Sequence, residues 1–188
     1  TRICIFCHAP HHAAKAPTDI SYSPLWNHNL STITNFTPYS NGTGSIIASG
    51  IILGQPGGVS LLCLSCHDGS AAVNAYGNFD GGNLLQGAGN LYIGGVAGSA
   101  VYQIGKAGNL SNHHPIGINY QLAISGGDDQ LKDPNGDFVG NSLVSINSVL
   151  RNGNVECISC HSVHNKNNTG ANLLWTDDST QSQLCLSC

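Results

Sequence analysis

The sequence contains no methionine, and only 9% of its residues are charged and 6% aromatic. The missing methionine removes thioether ligation of a metal from consideration. Six Lys plus Arg against ten Asp plus Glu leave a formal charge of −4. Nucleic-acid partners call for a basic patch, so that class is excluded. No apolar stretch approaches the roughly 18 residues a membrane span needs. The best run, Ile46 to Leu53, is short and broken by Ser and Gly. Large apolar side chains are scarce and glycine reaches 24 of 188 residues. Such a chain struggles to offset the entropy of ordering long loops, so something other than side chains is expected to fill its interior. The length suits a single domain, 1–188, or two at most. A CxxC motif already opens at Cys4, so no signal peptide is expected, and the sequence reads as a processed, mature chain.

What is present is cysteine in strict order. All eight fall in four pairs of equal spacing: Cys4/Cys7, Cys63/Cys66, Cys157/Cys160 and Cys185/Cys188. The first three pairs run directly into His8, His67 and His161. CxxCH is the attachment motif of c-type haem. Two thiols add across the two vinyl groups of one porphyrin, and the next residue brings an imidazole to the iron. Leu184 to Cys188 repeats Leu62 to Cys66 letter for letter. A fourth motif histidine is therefore expected directly after Cys188, giving four haems c. Structural zinc, a thioredoxin-like redox pair or disulfides would also use paired cysteines. None of these requires histidine immediately after each pair. Haem attachment takes place beyond the cytoplasmic membrane, so a periplasmic or extracellular location is expected.

Nine histidines are present, and three belong to the motifs as proximal ligands. Six remain for the distal sides, and bis-histidine ligation with no open iron position is the expectation. His11 and His164 each follow a motif histidine by three residues, too tethered to reach the iron of their own haem but suited to a neighbouring one. His28 lies in Pro24-Leu25-Trp26-Asn27-His28, beside an aromatic that can pack on a porphyrin. His114 precedes Pro115, which fixes the local chain. His11, His28, His114 and His164 are the distal candidates. His12 and His113, the other members of the two His-His doublets, are held in reserve. The alternative for any one of them is a solvated loop histidine.

The chain reads as two unequal repeats, each opening on CxxCHxxH and closing on Leu-Cys-Leu-Ser-Cys. The haem motifs thus come as two pairs, at 4–8 with 63–67 and at 157–161 with 185–188. Between them lies a Gly- and Asn-rich middle, about 69–154, punctuated by breakers such as Gly126-Gly127 and Pro134-Asn135-Gly136. Helical periodicity is not sustained anywhere. The fold expected is mostly coil or irregular, with short helical turns at the motifs and few short strands, for example near Leu143 to Leu150, wrapped around a chain of haems. Asp128, Asp129, Asp133, Asn135 and Asp137 faintly suggest calcium, but the EF-hand spacing and its closing Glu are absent. A surface Asp-Pro-Asn-Gly-Asp turn is the better reading.

Cys-Ile-Phe-Cys-His-Ala-Pro-His-His from Cys4, Pro-Leu-Trp-Asn-His from Pro24, Gly-Gln-Pro ahead of Leu-Cys-Leu-Ser-Cys-His-Asp-Gly, and Asn-His-His-Pro-Ile-Gly from Asn112 together resemble the doubled-CxxCH cytochromes of metal-reducing bacteria. Among these the chain most resembles the outer-surface tetrahaem cytochromes that polymerise into filaments, the cytochrome nanowires. The likeness rests on both ends and on 111–117, and the middle is not diagnostic. It implies a loop-rich fold around a continuous row of haems, alternately stacked and T-shaped. It also implies a histidine near the first motif that ligates a haem of the next subunit, and His11 is the matching position, with His12 beside it. The internal repeat points the same way. If His164 reaches back to haem 1, the equivalent target for His11 is haem 3 of a neighbouring subunit, and the chain would grow head to tail.

The leading expectation is accordingly an electron-transfer protein and not an enzyme, conducting along bis-His haems in an extracellular or cell-surface homopolymer. Its partners would be itself and other redox proteins or extracellular acceptors. A monomeric periplasmic shuttle is the runner-up. A reductase of a small substrate is the third reading, and it needs an open iron that six spare histidines argue against.

Overall fold

A computed structural model describes residues 3–11, 13, 25–39, 53–76, 91–93, 102–179 and 182–188. His12 and most of the Ile46 to Leu53 run lie outside the described residues. Most of the described chain is coil and turn, with short helices and two small antiparallel sheets. No helix among the described residues is long and apolar enough to cross a membrane. The chain forms two compact units, Thr1–Tyr39 with Gly58–His114, and Ser40–Gly57 with Pro115–Cys188. The Gly- and Asn-rich middle makes no unit of its own: its described parts divide between the two.

The first unit holds helix α1, Gly58–His67, which carries the second cysteine pair. It begins just past Pro56-Gly57, where proline cannot continue a ladder, and buries Ser60, Leu62, Leu64 and Ser65. The Ser65 hydroxyl donates to the Leu62 carbonyl at 2.6 Å, so its burial leaves no orphan. The Asp68 amide still donates to Leu64, and Gly69 then turns left-handed at φ 74°, which ends the helix. Trp26 and Leu62 pack against Cys7 and Leu30. Phe36, Leu64 and Leu110 converge on Gly105, at φ 73°, where an added Cβ would meet all three within 3.1–3.3 Å.

The second unit is built on β1 (Ile118–Asn119) paired with β4 (Asn154–Val155), and β2 (Asp137–Phe138) paired with β3 (Asn141–Ser145). Helices α2 (Tyr120–Ser125), α3 (Ile146–Val149) and α4 (Cys157–Cys160) connect and flank them. Tyr120, Phe138, Val144, Ile146 and Val149 form the core, with Trp175, Leu184 and Cys188 packed on it. The strand expected near Leu143 to Leu150 stops at Ser145. There the Ser145 side chain accepts the Ser148 amide, and Ile146 and Val149, three apart, bury the inner face of one helical turn. The acidic loop is a turn around Asp133, whose carboxylate accepts the Asn135 amide at 2.9 Å, whereas Asp128 is buried apart from that exposed tip.

Candidate metal centres

Each motif is wound as a helical turn. The His8 amide donates to the Cys4 carbonyl at 2.8 Å and the His161 amide to Cys157 at 3.1 Å, while Cys63, Cys66 and His67 lie within α1. Residues three and four apart share one helix face, so both thiols and the imidazole of a motif can address one flat ring. Cys185 to Ser187 forms a 3₁₀ turn ending at Cys188. None of the eight cysteines is in a disulfide.

The units bring the motifs together two by two. Burial, and after it the nearby Cys7, pushes the Cys66 thiol up to about 11. Burial, and then Cys188 and Cys185, pushes Cys160 up to about 12. The first two pairs lie in one unit and the last two in the other. In the second unit the last turn is held from several sides. The Tyr120 hydroxyl lies 2.8 Å from the Cys188 carbonyl, the Lys132 amide donates to the same oxygen at 2.6 Å, and the Val139 amide donates to the Ser187 hydroxyl.

The imidazoles are aimed by backbone. With Nδ1 as the protonated nitrogen, His67 donates to the Tyr102 carbonyl at 3.1 Å and His161 to Asn172 at 3.2 Å. Such a bond fixes tautomer and ring orientation, and leaves Nε2 as the ligating nitrogen. His28 differs: both ring nitrogens face carbonyls, Nδ1 at 2.6 Å from Asn29 and Nε2 at 3.0 Å from Ala72, and Nε2 also lies 3.4 Å from the Cys66 sulfur. Among the described non-motif histidines His28 alone is buried; His113 is half-buried, and His11, His114 and His164 are exposed.

The two units repeat each other beyond the motifs. Ala9 donates to Leu25 and Asn27 to Cys7; in the second unit Ser162 donates to Leu173 and Trp175 to Cys160. His8 bridges Trp26 as His161 bridges Leu174. Leu25 and Leu173 both stand at positive φ, 58° and 64°. The Asn27 amide and the Trp175 indole each donate to the residue after the first cysteine, Ile5 and Ile158. In this register Thr176 occupies the place of His28, equally buried, and its hydroxyl donates to the Val139 carbonyl.

These residues fit a covalently held porphyrin. Paired cysteines outside any disulfide would supply its attachment, and an oriented imidazole one axial ligand.

Residues 148–188 match the family model of the doubled CXXCH motif. That stretch holds the complete CxxCH at Cys157–His161 and the cysteine pair Cys185/Cys188. That match supports a multihaem c-type cytochrome, and the motifs imply covalently bound haem c. No curated protein matches the sequence significantly. Sequence reasoning passed over Asp68, Glu156 and Thr176, which are buried beside or between the motifs. Of these, Glu156 alone left a local trace, an acidic residue directly before a cysteine turn.

Proposed function

We propose that the chain is an electron conduit: four haems c, one at each cysteine pair, closed on both axial sides by imidazole and passing electrons from one to the next. The observation that carries this reading is the pairing of motifs within each unit, together with the imidazoles of His67 and His161, each facing a backbone carbonyl through Nδ1, and His28 buried beside the Cys66 sulfur. Bound haem supplies a one-electron centre at low potential. The chain's own residues fix the rings through the thiols, aim Nε2 of each ligand, and shield the ring edges with apolar side chains. Six non-motif histidines for four distal positions favour transfer over turnover of a substrate. The resemblance to filament-forming cytochromes supports a further step, an extracellular homopolymer joined by His11 or His12 of one subunit on a haem of another.

Intact mass and absorption spectroscopy test the first part. Four haem additions, all low-spin, are expected, and His28→Ala should turn one haem high-spin. A high-spin fraction in the wild-type assembly, or an unchanged spectrum in the variant, would sink it. Negative-stain microscopy tests the second part: filaments are expected from the intact protein, and monomers with one unfilled axial site from His11→Ala. A protein that stays monomeric at every concentration rejects the polymer and leaves the shuttle.

A further inference from the structure

Asp68 follows His67 directly and is buried, with 2% of its surface exposed. Its donors are neutral groups. One carboxylate oxygen accepts the Ser70 amide at 2.7 Å, and the other is in close contact with the Ser31 hydroxyl. Ser70 donates its hydroxyl to Ser31 at 3.2 Å and accepts the Thr32 amide at 3.1 Å. Ser31 in turn accepts the Ile33 amide at 3.0 Å. Asp68 thus joins two stretches far apart in sequence, the turn after the second motif and the extended segment that follows His28. The same two stretches are laced together further along. The Asn29 amide donates to Ala75, His28 bridges Tyr76, and His28 Nε2 faces Ala72.

A carboxylate held in a poorly hydrated place keeps a strong field, because little solvent screens it. An iron porphyrin gains one positive charge on oxidation, so a fixed anion beside it favours the oxidised form and lowers its potential. A hydrogen-bonded clamp on the segment that presents an axial imidazole also fixes how that imidazole approaches the iron.

We propose that Asp68 is a positioning residue for the haem held at Cys63 and Cys66: it clamps the segment after His28 to the second motif through Ser31 and Ser70, and sets that haem's potential low with a buried negative charge. This rests on the reading that haem is attached there with His67 on its iron. The two roles separate by substitution. Asp68→Asn keeps the size and hydrogen-bonding groups and removes the charge, whereas Ser31→Ala keeps the charge and removes the clamp. Both variants are made as haem-loaded protein and compared with wild type by intact mass, by potentiometric titration followed by electron paramagnetic resonance, and by absorption. Asp68→Asn should keep its haem count and low-spin spectrum while one midpoint moves upward more than the others. Ser31→Ala should perturb the resonance of one low-spin haem without that upward step. If Asp68→Asn leaves every midpoint in place, the charge role is overturned; if Ser31→Ala leaves every resonance unchanged, the clamp is overturned. Absence of haem on the wild-type Cys63–Cys66 peptide would instead overturn the underlying reading, so the two failures are told apart.

Discussion

Replacing Glu156 with alanine should remove about 2–3 kcal/mol from the second unit. The side chain is 2% exposed, and both of its oxygens take the Gly57 amide, at 3.0 and 3.2 Å. Its own amide donates to the Ser159 hydroxyl at 2.9 Å, and that hydroxyl donates to the Val149 carbonyl, so the start of α4 is tied to the core. A hydrogen bond to a charged acceptor contributes about 1.5–3 kcal/mol, and the truncation also leaves a small void and an amide without its partner. Glutamine keeps an acceptor and loses the charge, so Glu156→Gln should cost about 1 kcal/mol. Thermal unfolding of the haem-loaded protein reads the difference. For a chain of this size each kcal/mol moves Tm by about 2–4 °C, which puts the alanine variant about 4–12 °C below wild type. The glycine facing Glu156 gives an independent check. A Cβ on Gly57 would lie 2.5 Å from the Glu156 oxygen, so Gly57→Ala should destabilise as well. An alanine variant that melts with wild type, or a glutamine variant as weak as alanine, would refute the reasoning.

The second cysteine of each pair should be a slow nucleophile in the haem-free chain. Burial raises Cys7 and Cys188, Cys66 to about 11 and Cys160 to about 12, so iodoacetamide labelling of Cys160 should climb with pH towards 12; a rate that levels off at the ordinary thiol value of 9.0 refutes this. Since the fold holds these protons more tightly than the unfolded chain does, the stability they contribute is full below the ordinary thiol range and is lost as pH rises through the raised values, which an alkaline unfolding series measures. Gly105→Ala should cost about 2–4 kcal/mol, from a left-handed φ and from contact with Leu64, Leu110 and Phe36. Gly127→Ala, at φ 101° with open space around it, should cost only the backbone strain. Equal melting temperatures for the two would show that packing at Gly105 contributes nothing.

Chemistry with a fixed spacing was legible in the sequence, and long-range polar contact was not. The four cysteine pairs announce themselves because all share one spacing and three run directly into histidine. The irregular fold follows from the glycine content, and the turn at Asp133 from Asp-Pro-Asn-Gly. The helical turn at Ile146 was hidden because Leu143 to Leu150 is β-branched and apolar throughout enough of its length to suit either period. The His28 and Thr176 equivalence was hidden for a different reason. Both units contain Leu-Trp, at 25–26 and 174–175, and aligning those dipeptides is wrong by one residue. Hydrogen bonds match Trp175 to Asn27, because an indole N–H and an amide N–H can reach the same kind of carbonyl. Asp68 and Glu156 gave little sign of burial, since their partners Ser31 and Gly57 lie 37 and 99 residues away.

The path of residues 53–57 bears on how the chain can be divided. They lie between two stretches of the first unit in sequence, yet their contacts are with the second. The Gly54 amide donates to the Gly117 carbonyl at 3.1 Å, and Gly57 donates to Glu156. At Gly117 a Cβ would stand 2.7 Å from the Gly54 carbonyl oxygen, so the two glycines meet backbone to backbone. A cut between His114 and Pro115, where the units change over, therefore does not separate self-sufficient halves. The front fragment carries 53–57 away from its partners, and the rear fragment keeps a buried glutamate whose amide donor has gone. Neither unit can be excised from this chain, shuffled or fused elsewhere by choosing a linker at that point alone. A transplantable second module would have to bring its own copy of Leu53 to Gly57, joined by a new connection to Pro115.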